Sequence, residues 1–148
     1  MKIHEITPKD YTDLHRLYCQ LEDDWTSDIH DMIRVLEEVK DGPHYHLVGI
    51  FDDADKQVGT ITLSKCLDLT AKARFYYSLE NLVIDENYRQ QGYGQALMQY
   101  VEDYVRRHNG RYVNLTSAVH RTDAHEFYYR IGFPRNYTIG FKKNVVDD

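Results

Sequence analysis

Residues 79–98 read LENLVIDENYRQQGYGQALM, and this stretch decides the expected fold. A mostly apolar run predicts a buried strand, Phe75–Ile84. A turn with glycines at Gly92 and Gly94 follows, and apolar residues at helical spacing then predict a helix from Gly92 to Arg107. The first amides of a helix lack intrahelical partners, and its dipole favours negative charge. A strand leading through glycines into a helix therefore predicts an anion site suited to a pyrophosphate.

This turn lacks the two common nucleotide-binding motifs, and their absence restricts which pyrophosphate ligands it can bind. A Walker loop needs Gly-Lys followed by Ser or Thr, and a dinucleotide fingerprint needs an earlier glycine; neither is present. Arg89 can add a charge-assisted contact to a phosphate. Taken alone, R-x-x-G-x-G fits an ordinary helix-initiating turn equally well.

Three segments in order resemble the GNAT superfamily of acetyl-CoA-dependent N-acetyltransferases. Leu79–Ile84 looks like that family's central strand, residues 88–98 look like its pyrophosphate loop and following helix, and AHEFYYRIGF at 124–133 is similar to its A-x-x-F-Y-x-x-x-G-F signature. These motifs cover residues 80–133. Before residue 75 only the order of elements agrees.

The resemblance implies that acetyl-CoA is the co-substrate and identifies the residues that bind it. The pyrophosphate would accept hydrogen bonds from the loop amides, here Gln90, Gln91, Gly92, Tyr93, Gly94 and Gln95. The pantetheine arm would lie along the central strand at Leu82, Val83 and Ile84, where a bulge opens the sheet. Many relatives carry an asparagine three residues before Ala124, whereas this chain has Arg121, which is expected to pair with a CoA phosphate or to start the helix.

The resemblance also implies two catalytic residues. Tyr128, the tyrosine of the F-Y pair, looks like the general acid that protonates the departing CoA thiolate, with Tyr129 as a neighbouring alternative. Glu80 is the candidate general base, and an equally open alternative is a structural carboxylate that orders the acceptor. A backbone amide near Leu82 is expected to polarise the acetyl carbonyl during direct attack by the amine.

The expected fold is α/β (α+β), with a mixed sheet of about six to seven strands, flanked by about four helices and splayed at the cofactor site. The chain is expected to form one domain over residues 1–148. The expected strands are Lys2–Thr7, His44–Phe51, Val58–Lys65, Phe75–Ile84, Arg111–Thr116 and Tyr137–Lys142, and the expected helices are Pro8–Leu21, Ser27–Lys40, Gly92–Arg107 and Arg121–Ile131.

Composition restricts the partners and the compartment. The net charge of −6 argues against nucleic acid, and no apolar run is long enough for a membrane span. The two cysteines, Cys19 and Cys66, have no C-x-x-C spacing, which favours a reducing cytoplasm. The histidines lack companion ligands at metal-binding spacing, so no metal is expected.

The acceptor is expected to be a primary amine of a small molecule. Its identity should depend on Asp23, Asp24, Trp25, Tyr76 and Tyr77, which belong to no motif. Three alternatives stay open: a non-catalytic acyl-CoA sensor, a protein or peptide N-acetyltransferase, and a nucleotide-binding module. A homodimer is compatible with the resemblance, because dimers are common among relatives.

Overall fold

The computed structural model describes residues 1–22, 25–70 and 72–147. The chain forms two compact units, Met1–Leu115 and Thr116–Asp148, which are treated separately below. The expectation of one domain over residues 1–148 stays a prediction.

The first unit contains a mixed sheet and three α-helices. Its elements are β1 (Lys2–Glu5), α1 (Tyr11–Leu21), α2 (Ile29–Val39), β2 (Tyr45–Phe51), β3 (Gln57–Asp68), β4 (Arg74–Ile84), α3 (Tyr93–Arg107) and β5 (Val113–Asn114). The strands lie in the order β1-β2-β3-β4-β5, with antiparallel pairs except for the parallel pair of β4 and β5. This is the expected α/β class of fold.

The two faces of the sheet carry different helices. Tyr77 of β4 is 1% exposed and its ring meets Tyr104 of α3 edge-on at 5.8 Å, so α3 covers that face. Because side chains alternate along a strand, Glu80 and its partner Thr62 on β3 point to the opposite face. There α1 packs against β3 and β4 with Leu14 and Leu17 fully buried.

Thr7 and Asp10 fix the turn that leads into α1. A single turn of 3-10 helix, Pro8–Asp10, precedes α1. The Asp10 carboxylate accepts hydrogen bonds from the Thr7 amide at 2.8 Å and the Thr7 hydroxyl at 3.0 Å. These contacts satisfy a donor that would otherwise be unpaired and fix where the chain turns from β1 into the helix.

The second unit is built around α4 (Thr122–Arg130). The Phe133 amide donates to the Tyr128 carbonyl at 3.0 Å, and Gly132 between α4 and Phe133 has a φ of +112°. Glycine adopts this conformation without steric cost, so the helix ends where the motif places its glycine. The Tyr128 ring packs edge-on against Phe127 and Phe133.

The sheet has fewer strands than the sequence indicated. Arg111–Thr116 was expected to be a strand, but only Val113–Asn114 pairs with β4. The strand expected at Tyr137–Lys142 is wrong for the described residues, which form no strand there. Its apolar side chains at 137, 139 and 141 are 78%, 82% and 93% exposed. Alternation predicts a strand only when one face is buried, and this face is not.

Candidate active site

A β-bulge lies in β4 immediately after Glu80. Glu80 is paired with Thr62 and Val83 with Thr60, so β4 has one residue more than β3 over this interval. Asn81 takes up the extra residue in the left-handed region, with a φ of +53°. Such bulges redirect side chains and interrupt a hydrogen-bonded ladder. The bulge expected from the sequence is therefore present, at the position where the cofactor strand should open.

The edge of β4 beyond the bulge is open on one side. On the side away from β3, β4 pairs with β5 only at Tyr77 and Ser78. The hydrogen bond from the Tyr77 amide to Tyr112 O, 3.1 Å long, belongs to this short pairing. Within the described residues, no strand lies beside 79–84 on that side. The splayed sheet predicted from the sequence is thus confirmed, and its open edge includes Leu82, Val83 and Ile84.

Backbone amides at the start of α3 have no hydrogen-bond partner among the described residues. Gly92 is the N-cap with a φ of +87°, and it gives the helix no side-chain cap. Gln90 also has a positive φ, +60°. None of the backbone amides from Gln90 to Gln95 has a hydrogen-bond acceptor in the part of the chain that the structure describes. Successive free amides beside left-handed residues form a concave site for an anion.

Arg89 lies at the entrance to this turn. Its Nε donates to the carbonyl of Ile84 at 3.1 Å, which ties the loop back to the last residue of β4. Among the described residues, no acceptor contacts the two terminal guanidinium nitrogens. Arg89 thus joins strand and loop through one nitrogen and keeps two terminal nitrogens, with four N–H donors, that suit a phosphate.

The segment between β4 and α3 is anchored by residues that the sequence did not single out. Asp85 follows β4 directly, is 1% exposed and caps the next turn through the Asn87 amide at 3.0 Å. Arg16 of α1 pairs with the same carboxylate and also donates to Gln57 O at 2.8 Å. The cap was detectable as an aspartate ending a strand, but Arg16 lies 69 residues away and no local spacing indicates it.

Glu80 is exposed and lies among hydroxyl groups on the face covered by α1. Burial raises the pKa of Tyr18 and the Glu80 carboxylate raises it further, against a lowering by the Thr62 hydroxyl, so the net pKa is raised. Thr62 lies directly opposite Glu80 on β3, so a hydroxyl group lies beside the candidate base.

The residues expected to determine acceptor choice have different environments. Tyr76 is half-buried and stacks on Tyr112 at 4.8 Å, on the same face as Glu80. The prediction that Tyr77 helps to determine the acceptor is wrong. Because side chains alternate along β4, Tyr77 points into the core against α3, where no acceptor can reach it. Trp25 is 72% exposed. Asp23 and Asp24 lie outside the described residues.

Tyr128 and Arg121 belong to the second unit. Burial raises the pKa of Tyr128 and Arg121 lowers it in part, with a net increase. The phenol is consequently protonated at neutral pH, as a general acid must be. Arg121 is the N-cap residue of α4, in agreement with the expectation that it starts the helix. Its pairing with a CoA phosphate stays a prediction.

The described residues contain neither a metal centre nor a membrane-spanning helix. No group of three or more His, Cys, Asp or Glu side chains there has a geometry suited to a metal ion. Within the same ranges, every helix is too short or too polar to cross a bilayer.

Comparison with known proteins decides the family. The model of the Acetyltransferase (GNAT) family matches residues 3–133. The chain belongs to the GNAT family of acetyltransferases. The match includes β4, the α3 turn and α4, so the motifs that suggested the family lie inside the matched region. No curated protein matches the chain significantly.

Solved structures with the same fold cover nearly the whole GNAT chain. A provisionally assigned acetyltransferase from Agrobacterium tumefaciens str. C58 is 27% identical, with a TM-score of 0.88, over 97% of this chain and 99% of that one. Glucosamine-6-phosphate N-acetyltransferase from Arabidopsis thaliana is 19% identical, with a TM-score of 0.82, over 98% of both chains. Aminoglycoside 6'-N-acetyltransferase AAC(6')-Ih from Acinetobacter baumannii is 18% identical, with a TM-score of 0.78, over 98% of this chain and 99% of that one.

Proposed function

We propose that the chain transfers the acetyl group of acetyl-CoA to a primary amine of a small molecule. The observation that carries this proposal is the combination at the end of β4: an open strand edge, followed by a helix start whose amides are free. An extended thioester arm can pair with the former while its pyrophosphate binds the latter. Arg89 supports the same ligand with the N–H groups of its two terminal nitrogens.

The proposed chemistry is direct attack without an acyl-enzyme. The amine nitrogen forms a bond to the acetyl carbonyl carbon, and the carbon–sulfur bond of the thioester breaks. Glu80 takes the proton that the nitrogen loses, directly or through water, and the thiolate receives a proton from Tyr128. The backbone amide near Leu82 stabilises the carbonyl oxygen as it becomes negative. Holding both reactants in line contributes much of the rate enhancement.

The role given to Glu80 is supported by its surroundings in the first unit. Its carboxylate is exposed to an incoming amine, directly before the bulge that opens the cofactor strand. The role given to Tyr128 rests on the family motif and on a phenol kept protonated by burial. We place the enzyme in the cytoplasm, since Cys19 and Cys66 are both free thiols.

A second candidate function is an acyl-CoA sensor that binds the ligand without turnover. One neighbour of the same fold, 19% identical, is described as a transcriptional regulator from Bacillus halodurans C-125. Glu80 and Tyr128 favour the enzyme, since a sensor needs neither an exposed carboxylate nor a protonated phenol beside the thioester.

Thiol release from acetyl-CoA separates the two functions. The purified protein is mixed with acetyl-CoA and, in separate reactions, glucosamine 6-phosphate, kanamycin A, spermidine and a peptide with a free N-terminus. Release that depends on one of the small amines supports the proposal, and release with the peptide alone indicates a protein acetyltransferase. CoA binding without release above the amine-free rate would establish the sensor instead.

A further inference from the structure

The face of the sheet that carries Glu80 is polar along most of the β3–β4 pair. Because side chains alternate along a strand, every second residue of β4 before Glu80 lies on this face, opposite its partner on β3. The other face of the same two strands belongs to the core, with Leu63 and Leu79 buried. Four directly opposed pairs form the polar face: Thr62–Glu80, Ser64–Ser78, Cys66–Tyr76 and Asp68–Arg74.

The middle of the polar face has groups that can bind a ligand. Ser64 and Ser78 are half-buried, and within the described residues neither hydroxyl has a hydrogen-bond partner. The ring of Tyr112 stacks on Tyr76 at 4.8 Å and borders the face next to them. A ligand that extends from the candidate base towards the start of β4 therefore meets free hydroxyl groups.

A cavity of about 410 Å³ lies at the start of β4, at the other end of the polar face from Glu80. Its volume is in the range of small-molecule sites. Three of the four residues that line it are cations, although the net charge of the chain is −6. The lining residues are Thr70, Lys72, Arg74 and Arg111.

Arg74 is held at this cavity by backbone carbonyls and not by a carboxylate. Its Nε donates to Asn109 O at 3.3 Å, and its Nη2 donates to Gly110 O at 2.9 Å. Among the described residues, no acceptor contacts Nη1, so its two N–H groups are available. A guanidinium that is already fixed loses little side-chain entropy when it binds an anion.

The other two cations of the cavity have no acidic partner. In the part of the chain that the structure describes, neither Lys72 nor Arg111 forms an ion pair. The carboxylate of Asp68, opposite Arg74 on β3, accepts hydrogen bonds from the amide of Thr70 at 2.9 Å and from its hydroxyl at 2.7 Å. Asp68 places one negative charge near three positive ones, so the cavity is cationic and suits an anion.

The distance from Glu80 to this cavity determines the length of a ligand that reaches both. Arg74 and Glu80 lie at opposite ends of one polar face of β4, about 20 Å apart along an extended strand. The reach of the two side chains reduces the gap that a ligand has to span to about 10 to 20 Å.

We propose that the cation-lined cavity binds an anionic group of the acceptor, a carboxylate or a phosphate, while the reacting amine lies at Glu80. The proposal rests on the acetyltransferase function proposed above and adds a substrate class to it. The class is an elongated amine whose anionic group lies about 10 to 20 Å from the reacting nitrogen.

A series of linkers of graded length tests the proposal. Primary amines joined through two to eight ethylene glycol units to a terminal carboxylate are compared with the same amines ending in a neutral dimethylamide. Thiol release at saturating acetyl-CoA gives kcat/KM for each, and the acid-to-amide ratio is plotted against length. We expect a ratio of about 1 for the shortest linkers and a peak of roughly 5-fold to 10-fold where the linker spans the gap.

A third series, ending in a phosphonate, distinguishes the two kinds of anion. A higher peak than that of the carboxylates identifies a phosphate as the preferred group, and a lower peak identifies a carboxylate.

Variants of the cavity identify the cations that bind. Arg111→Gln and Lys72→Gln should each lower the peak ratio roughly 2-fold to 5-fold, as for one exposed ion pair, and the double variant should bring it to about 1. Lys9→Gln removes an exposed lysine that does not line the cavity and should leave the ratio unchanged. Because the ratio is taken within each variant, a general loss of activity or stability cancels.

The outcomes distinguish this proposal from the function on which it rests. A wild type that acetylates no amine of these series or of the panel above overturns both. Acetylation of the panel without the linker series overturns the anion site and leaves the acetyltransferase function intact. The same conclusion follows if acids and amides react equally at every length, or if the peak survives in the double variant.

Discussion

Arg16 of α1 pairs with the buried carboxylate of Asp85, the residue that directly follows β4. The pair connects α1 to the chain that leads from the open strand into the loop of free amides. Gln20 of the same helix adds a second link, because its side-chain oxygen accepts a hydrogen bond from the Glu86 amide at 2.9 Å. Lys56 Nζ, 3.9 Å from the Asp85 carboxylate, provides a weaker second cation.

The first prediction concerns the stability that this pair contributes. Arg16→Leu leaves the Asp85 carboxylate, 1% exposed, with only the distant Lys56 as a cation. We expect the free energy of unfolding in urea to fall by about 2 to 3 kcal/mol, because an uncompensated buried charge is costly. Arg34→Leu removes an exposed arginine that pairs with Asp31 and Glu38, and should cost less than about 1 kcal/mol. Equal losses for both variants would contradict the anchoring role.

The second prediction is a dependence of stability on pH. Burial raises the pKa of Asp85, but hydrogen bonds from Asn87 and Arg16 outweigh it, and the net pKa is lowered. A carboxyl group whose pKa is lower in the folded protein than in the unfolded chain, where it is about 3.9, stabilises the fold at a pH above that unfolded-state pKa. This stabilisation is lost as the pH falls through the pKa of the folded state. The free energy of unfolding should therefore decrease below about pH 4. The decrease should be shallower in Asp85→Asn; an unchanged slope would show that Asp85 is not the group responsible.

The sequence predicted the parts of the site that depend on local signals. The run from Glu80 to Gly94 contains strand, turn and helix start within one stretch. Gly92 marks a helix start and Gly132 a helix end, and both depend only on the backbone conformation of the glycine itself. The bulge was predicted from the family's use of this strand. Its location at Asn81 was not, because asparagine tolerates positive φ without being confined to it.

The parts that the sequence missed depend on contacts between distant residues. Arg16 reaches Asp85 only after α1 packs on the sheet, and no spacing in the chain indicates that packing. Tyr77 was assigned to the acceptor site beside Tyr76, although neighbouring strand residues point to opposite faces. The alternating residues from Tyr137 to Lys142 carry a strand pattern, but a strand also needs a partner, which the pattern does not supply.

The third prediction tests the candidate base. Glu80→Gln keeps the size of the side chain but removes its ability to accept a proton. We expect kcat to fall about 100-fold, the usual size of a general-base contribution, with unchanged affinity for CoA. Glu86→Gln changes an exposed glutamate that follows the same strand and should leave kcat unchanged. If kcat were unaffected by Glu80→Gln, the carboxylate would have an ordering role only.

The fourth prediction tests the candidate acid. Tyr128→Phe removes the phenol whose pKa burial raises, and kcat should fall about 100-fold with little change in CoA affinity. Tyr129→Phe is the matched control. The Tyr129 ring lies under the Arg135 guanidinium at 3.9 Å, and a phenylalanine ring should keep this contact. A larger loss in Tyr129→Phe than in Tyr128→Phe would exchange the two roles.

The central claim is that free amides at the start of α3 bind the pyrophosphate of CoA, and calorimetric titration with CoA tests it most directly. Gly92 and Gly132 both have positive φ, and a side chain at either would project into open space. Valine at either position therefore introduces backbone strain, but only Gly92→Val introduces it in the loop whose amides would bind the pyrophosphate. We expect saturable heat for the wild type and for Gly132→Val, and none for Gly92→Val. Undiminished binding by folded Gly92→Val, or no heat with the wild type, would contradict it.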